Sequence, residues 1–571
     1  MIHRPTPRLA ARRAASRAPR HVATAAILAL LVAACSPAPS PSGGPQGSPG
    51  ASPSAAAPTT LTVGLAAEAE SLDPALVYQP AGQSIMFAVF DTLLTIGPDG
   101  TLGPGLAEEW EIVNPTTIEL RLRTGITFHG DGGEGDGGEP FDAEAVRFSI
   151  YRLMDRDPAT SEPITDDAAK LNSQWIRDYA SVDEVEVVDG TTVRIHLKNP
   201  DVALLNALGR TFIVPPEYVG RVGNDGFAQA PVGTGPFVFD ERVKDDHTTV
   251  VRNPAYWDSP RGAPLVDTVV FRPIPDASTR LNELVTGGVD LIADPSPDQL
   301  ERVEESGGRV PTIGDARRYM IWFSTDGKGA LAEDPNKTPA QATALEALAE
   351  RAVREALNLA VDRQAIIDTL LQERGAKMSG PFVEGDLGFD PSLPDIRYDP
   401  DRARQMLADA GYPDGFEIDL DICTCDRTDL PEAVAGELAK VGVTVNLKPF
   451  EISQFNADWG AGRQNPMRAS RLSFSDVNVY LQLWLRSGGF LSRFGDPEID
   501  ALIDAQQAEY DVAARETILR EIGEKVRAAA PALFLWSSPN LYGAGPAIPD
   551  WQPHLLGYLP VVGVEVVRQG T

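Results

Sequence analysis

The chain has 571 residues, 43% apolar and 23% charged, the composition of a folded protein long enough for two or three cored domains. Fifty Lys and Arg stand against 81 Asp and Glu, a net charge of −31, and this argues against nucleic acid as a partner because phosphate recognition needs clustered cations. The same excess of acid favours solubility and leans toward cationic or neutral ligands.

From the N-terminus, Arg4, Arg8, Arg12, Arg13, Arg17 and Arg20 precede an apolar run from Val22 to Ala34. A charged start, a short apolar middle and small residues before a cut site describe an export signal. The run is shorter than the roughly 20 residues that span a bilayer, so a transmembrane helix is disfavoured. Its ending, Leu31-Val32-Ala33-Ala34-Cys35, resembles the bacterial lipobox. That resemblance implies cleavage after residue 34 and diacylglyceryl attachment to the sulfur of Cys35. Arg12-Arg13 lacks the rest of a twin-arginine motif, which favours general secretion. The Ser, Pro, Gly and Ala of 35–59 read as a disordered tether. No second apolar run approaches spanning length, so the lipid is expected to be the sole membrane attachment.

The body mixes strands and helices. Leu61–Leu65, Thr117–Leu122, Thr192–Leu197 and Val266–Arg272 alternate as strands do. Gly130–Glu139 is acidic and glycine-rich, and its spacing does not fit an EF-hand, so a solvated loop is favoured over a calcium site. Gly233-Thr234-Gly235, between prolines, reads as a turn before a strand and not as a phosphate loop. Between Gln341 and Gln372, Leu345, Leu348, Ala352, Val353, Ala356 and Leu357 recur at helical spacing, with Asp362 placed to cap a second helix. Asp399-Pro400 opens another helix that stops at Gly411, and Asp496-Pro497 opens the next. Phe416–Cys423, Pro431–Val441 and Val443–Leu447 make strand, helix, strand, a right-handed parallel crossover. At least the C-terminal half is therefore α/β.

Cys423 and Cys425 form a Cys-x-Cys pair, read as a local disulfide or two thiols in preference to a metal site. His129, His196, His247 and His554 show no close metal spacing. There is no Gly-x-Ser-x-Gly, His-Glu-x-x-His or Walker-type sequence. No catalytic residue, metal or cofactor is expected, and an enzyme is disfavoured.

Several segments in order carry a resemblance. They are Ser71-Leu72-Asp73-Pro74, Phe90-Asp91-Thr92-Leu93-Leu94, Leu106-Ala107-Glu108-Glu109-Trp110 and Leu122-Arg123-Thr124-Gly125-Ile126-Thr127-Phe128-His129. There follow Pro140-Phe141-Asp142-Ala143-Glu144-Ala145-Val146, displaced by the acidic glycine insert, and Pro231–Phe237. Arg252-Asn253-Pro254-Ala255-Tyr256-Trp257 and Ala356–Arg363 complete the set. Together they resemble the family 5 extracellular solute-binding proteins of ABC importers, which include oligopeptide, dipeptide, nickel and glutathione receptors.

The resemblance implies an α/β, two-lobed periplasmic-binding-protein fold of class II, large type, with an extra domain in the first lobe. Carried onto this chain, the first lobe takes 60–99, 229–317 and 531–571. The extra domain takes 100–228 and the second lobe 318–530. The hinge is expected at Tyr319–Trp322 and Ala532–Trp536. The implied function is a monomeric, lipid-anchored receptor in the cell envelope, on the outer face of the cytoplasmic membrane or in the periplasm. It captures short peptides or a similar polar solute between its lobes and hands them to an ABC permease. The alternatives are an oligosaccharide or a metal chelate on the same fold and, remotely, a tethered extracellular hydrolase.

In peptide-binding members an Asp of the second lobe takes the ligand ammonium, and Asp476 of Ser475-Asp476-Val477-Asn478 holds that place; a plain cap or turn residue fits equally. Val479-Tyr480 after it, and Leu472-Ser473-Phe474 before it, depart from the usual Pro and Trp. Tyr480 and Trp484 are candidates for the ligand pocket, with a core role the rival reading for Trp484. Arg463, Arg468 and Arg471 lie where some relatives place an arginine for a ligand carboxylate. Tyr78 and Gln79 are the first-lobe candidates, and plain solvent exposure fits them equally.

Overall fold

A computed structural model describes residues 58–571 except 99, 131–137, 158–159, 165–174, 258, 326–332, 336, 425–426, 452–453, 456–457, 460–464, 475 and 569–571, with the backbone alone at 315 and 316. Cys35, Cys425, Arg463 and most of the acidic glycine insert lie outside the described residues. Cys423 is disulfide-bonded.

Most strands join one mixed sheet. In order across it run Val443–Phe450, Phe416–Cys423, Met467–Leu472, Thr312–Phe323, Ala532–Ala544, Leu291–Ala293, Thr60–Leu65, Thr268–Pro273, His247–Arg252 and Phe237–Val243. The Phe416–Cys423 and Val443–Phe450 strands are parallel, joined by the helix Asp429–Ala439, as the crossover pattern predicts. Caps set the helix starts. Asp399 accepts from the Arg402 amide at 2.9 Å with Pro400 in the first turn, and Gly411, at φ +96°, lies just past the end of that helix. Asp362 and Asp496 cap the helices Arg363–Leu370 and Pro497–Gln507. The periodic stretch after Gln341 breaks at Glu350, whose extended backbone separates Pro339–Ala349 from Arg351–Leu359.

A separate four-stranded antiparallel sheet holds Ala107–Asn114, Thr117–Leu122, Thr192–Leu197 and Val182–Asp189. Alternation puts Ile118, Leu120, Val193 and Ile195 on its buried face, in one apolar cluster with Val146 and Ile150 of the helix Ala143–Leu153. Other apolar clusters gather around Leu61, Phe90 and Phe271 at one end of the main sheet, and around Ile321, Leu357 and Leu420 at the other.

Among the described residues, only Thr312–Phe323 and Ala532–Ala544 run between those ends within the sheet. Their pairing shifts register between Ile313 and Arg317, opposite Ser538–Asn540. Gly314 there has φ +40°, and Pro539 has no amide to give to the ladder. A second register shift falls between Tyr319 and Met320, within the expected hinge. The expected hinge residues Tyr319–Trp322 and Ala532–Trp536 pair with each other across these two strands, and Tyr319 stacks on Trp536 at 5.0 Å.

Candidate functional site

Many of the motif residues turn inward and build the frame. Asp91 is buried and accepts from Tyr256 Oη at 2.9 Å, Trp257 Nε1 at 2.8 Å, Thr234 Oγ1 at 3.0 Å and the Arg261 guanidinium at 2.5 Å. This one carboxylate ties together three of the sequence motifs. Gly233 and Gly235 pass so close to Val89 that a Cβ on either would fall within 2.5 Å of its backbone. Arg363 donates to Phe534 O at 2.6 Å, Asn358 O at 2.9 Å and Asn358 Oδ1 at 3.0 Å, and Asn358 Nδ2 reaches Ala532 O at 2.9 Å. The Ala356–Arg363 segment thereby clamps the crossing strand. Burial lowers the Arg363 pKa to about 10.

Asp73 caps the short turn Pro74–Leu76 and forms a buried bidentate pair with Arg152, at 2.9 and 2.5 Å. Trp175 Nε1 donates to the carbonyls of Pro74 and Val77, both at 3.2 Å. These contacts fix the segment that presents Tyr78 and Gln79. The Tyr78 ring packs on Trp175 at 5.0 Å, and Gln79 is exposed.

Tyr78 and Gln79 line a cavity of about 880 Å³. Its walls come from three regions: Tyr78, Gln79 and Leu555; Arg177 and Arg210; and Arg471 and Trp484. A second cavity, of about 700 Å³, shares Tyr78, Arg177, Arg210, Val479 and Leu483 with the first. It continues among amides, including Asn199, Asn206, Asn478, Gln482 and Gln507.

The structure therefore brings Tyr78, Gln79, Arg471 and Trp484 of the sequence candidates to one cavity. Trp484 fills two roles. It is buried against Trp322, centroids 4.7 Å apart, and it also contributes to the cavity wall. Tyr480 is a core residue that lines neither cavity; its hydroxyl lies 3.9 Å from Met320 Sδ. Arg468 is likewise interior, caged by Phe455, Trp459 and Trp484 at 3.8, 5.2 and 5.4 Å, and burial lowers its pKa to about 9.

Asp476 lines neither cavity. It caps the turn Val477–Tyr480 and forms a bidentate pair with Arg515 at 2.7 and 2.9 Å, both side chains 8% exposed. Asn206 Nδ2 adds a third contact at 3.2 Å, from the region that carries the four-stranded sheet. Two further bonds join the same surfaces: Val202 N to Gln507 O at 3.0 Å, and Asp201 N to Tyr510 Oη at 3.3 Å. Asp476, for which sequence left ligand contact and a cap role equally open, accepts from Arg515, Asn206 and the Asn478 amide.

Four charged cavity residues, Arg177, Arg210, Asp294 and Arg317, escaped the sequence reading. Asp294 sits at φ +53°, next to the crossing strands, and pairs with Arg317 at 2.5 Å. Burial opposes its ionisation, but Arg317, then Arg471 and Arg280, hold the carboxyl below its usual range. Arg210 pairs with Asp178 at 3.0 Å, and Arg177 lies over the Phe490 ring at 5.4 Å. Among the described residues no cluster of three His, Cys, Asp or Glu is arranged for a metal, and no helix is long and apolar enough to cross a membrane.

Comparison with known proteins agrees with this architecture. The chain is 27% identical over 484 residues to "Heme-binding protein A" of Haemophilus influenzae, covering 81% of this chain and 84% of the relative. It is 25% identical over 489 residues to "Di/tripeptide-binding protein 2" of Pseudomonas aeruginosa, covering 82% and 87%. The solved periplasmic binding protein DppA of Helicobacter pylori, in complex with the peptide STSA, superposes with a TM-score of 0.74 at 22% identity, covering 89% of this chain and 98% of that one. The fold is the two-lobed α/β fold of periplasmic binding proteins. Residues 101–491 match the profile of the bacterial extracellular solute-binding proteins, family 5, and the chain belongs to that family of binding proteins, not enzymes.

Proposed function

We propose that this chain is the solute receptor of an ABC importer, anchored by lipid at Cys35, that captures short peptides or a similar polar solute and delivers it to the permease. The observation that carries the reading is the cavity of about 880 Å³ whose walls come from three separate regions of the chain. In this reading the lobes are 60–99, 229–317 and 531–571 on one side and 318–530 on the other, with 100–228 as the extra domain. The solute touches both lobes, so it stabilises the closed arrangement by its differential affinity for closed over open. Tyr78, Gln79, Arg471 and Trp484 are the proposed contacts. Asp476 is proposed to hold the closed form through Arg515 and Asn206, not to meet the ligand. The di/tripeptide-binding relative supports the peptide class.

A ligand that binds only the native state raises its stability, by about 2.7 kcal/mol at a hundredfold excess over Kd. The test is thermal unfolding of the purified chain with a peptide mixture. A rise in Tm is expected, and no rise with peptides, sugars or metal chelates overturns the reading. For the anchor, the intact mass of membrane-extracted protein should show loss of residues 1–34 and an acylated Cys35. Cys35→Ala should abolish detergent-phase partition.

A further inference from the structure

Nine large apolar side chains are exposed among the described residues, and two of them, Ile176 at 43% and Phe490 at 49%, line the larger cavity. They come from distant segments. Ile176 follows Trp175, whose indole is anchored on the Pro74 and Val77 carbonyls, and Phe490 lies just beyond the helical turn Leu481–Leu485 that carries Trp484. Half-buried Leu472, Phe474, Leu555 and Leu556 continue the same wall. None of these six lines the adjoining cavity, which continues among amides. Single apolar side chains scattered over a surface are ordinary, but six converging on one concave wall are what a small-molecule pocket shows. The arginines of the wall are engaged with protein groups: Arg210 with Asp178 at 3.0 Å, Arg317 and Arg471 with Asp294, and Arg177 over the Phe490 ring at 5.4 Å.

We propose that the larger cavity selects a solute with an apolar body, contacted by Ile176 from one region and Phe490 from another, and that among peptides it prefers those with large apolar side chains. The proposal rests on the reading of this cavity as the solute site. A volume of about 880 Å³ suits a small solute. Water leaves both surfaces when the solute enters, and the gain scales with the apolar area buried. A polar side chain of equal size gains little, because it gives up its water and an apolar wall returns no hydrogen bond.

The test is calorimetric titration of the purified chain with Leu-Leu-Leu and Asn-Asn-Asn, which are similar in size and carry the same terminal charges, and with protoporphyrin IX as an apolar body that is not a peptide. Leu-Leu-Leu should bind about tenfold or more tighter than Asn-Asn-Asn. Ile176→Ser and Phe490→Ser, both at exposed positions, should each reduce that preference about threefold or more and leave Tm near that of the parent, while Phe490→Leu should keep most of it. Peptide binding without preference for Leu-Leu-Leu, or with a preference unchanged in both Ser variants, overturns the apolar-selection proposal and leaves the peptide reading standing. Binding of protoporphyrin IX and of neither peptide, weakened in both Ser variants, supports apolar selection and overturns the peptide reading. Binding of none of the three overturns both.

Discussion

Replacing Asp476 with Ala separates the two roles that a carboxylate at this position can have. The substitution removes both bonds to Arg515, at 2.7 and 2.9 Å, and leaves that guanidinium, 8% exposed, facing the neutral Gln506 Oε1 at 3.1 Å. Breaking a buried ion pair from one side costs about 3–5 kcal/mol, because the remaining charge stays desolvated. The lost cap on the Asn478 amide, at 2.7 Å, adds about 1 kcal/mol. Taking about 4 kcal/mol, and about 2–4 °C per kcal/mol for a unit of roughly this size, Tm should fall by about 8–16 °C. Thermal scans followed by circular dichroism and tryptophan emission would measure this without ligand. The double replacement of Asp476 and Arg515 by Leu should recover most of the loss, since a pair removed together strands no charge. A fall of less than about 3 °C for Asp476→Ala, with peptide affinity strongly weakened, would refute the structural role and return Asp476 to the ligand.

Three other outcomes are expected. Burial pushes the Asp421 carboxyl up to about 6 from 3.8, so the folded protein keeps a proton there that the unfolded chain has already lost. Stability present below pH 4 is therefore lost as pH rises through 6, and Asp421→Asn should flatten the urea-midpoint profile over that window by on the order of 3 kcal/mol; an unchanged slope would contradict it. Arg363→Ala should destabilise by about 3 kcal/mol in urea titrations, and Arg363→Lys should not restore it, because a point ammonium cannot reach Phe534 O and Asn358 together as the planar fork does. Trp484→Phe should keep the fold and remove most of the tryptophan emission change that ligand produces, since Trp484 joins the cavity wall to the Trp322 stack.

Local signals were sufficient for much of the fold. Asp-Pro helix starts, the glycine stop at Gly411 and the alternation in Thr117–Leu122 each depend on neighbours within a few residues. The parallel crossover followed from element order alone. The two crossing strands were legible as apolar runs at Tyr319–Trp322 and Ala532–Trp536, whereas the break in their pairing at Ile313–Arg317, near Gly314 and Pro539, was not. Arg515 was missed although its signal was present. It stands on the stripe with Leu519, Ile522 and Val526 of the helix Val512–Ala529, and a charge on an apolar stripe calls for a buried partner. Nothing local pointed to Asp476, 39 residues away.

The inward turn of Asp91, Asp73 and Arg363 has a practical consequence. The side chains by which the chain is identified support its frame, whereas Arg177, Arg471 and Phe490, which line the cavity, lie between the motifs. Frame and recognition therefore occupy separate sets of positions in one chain. A cavity organised in this way can be rewritten residue by residue, to make a sensor for a chosen solute, while the same frame remains in place.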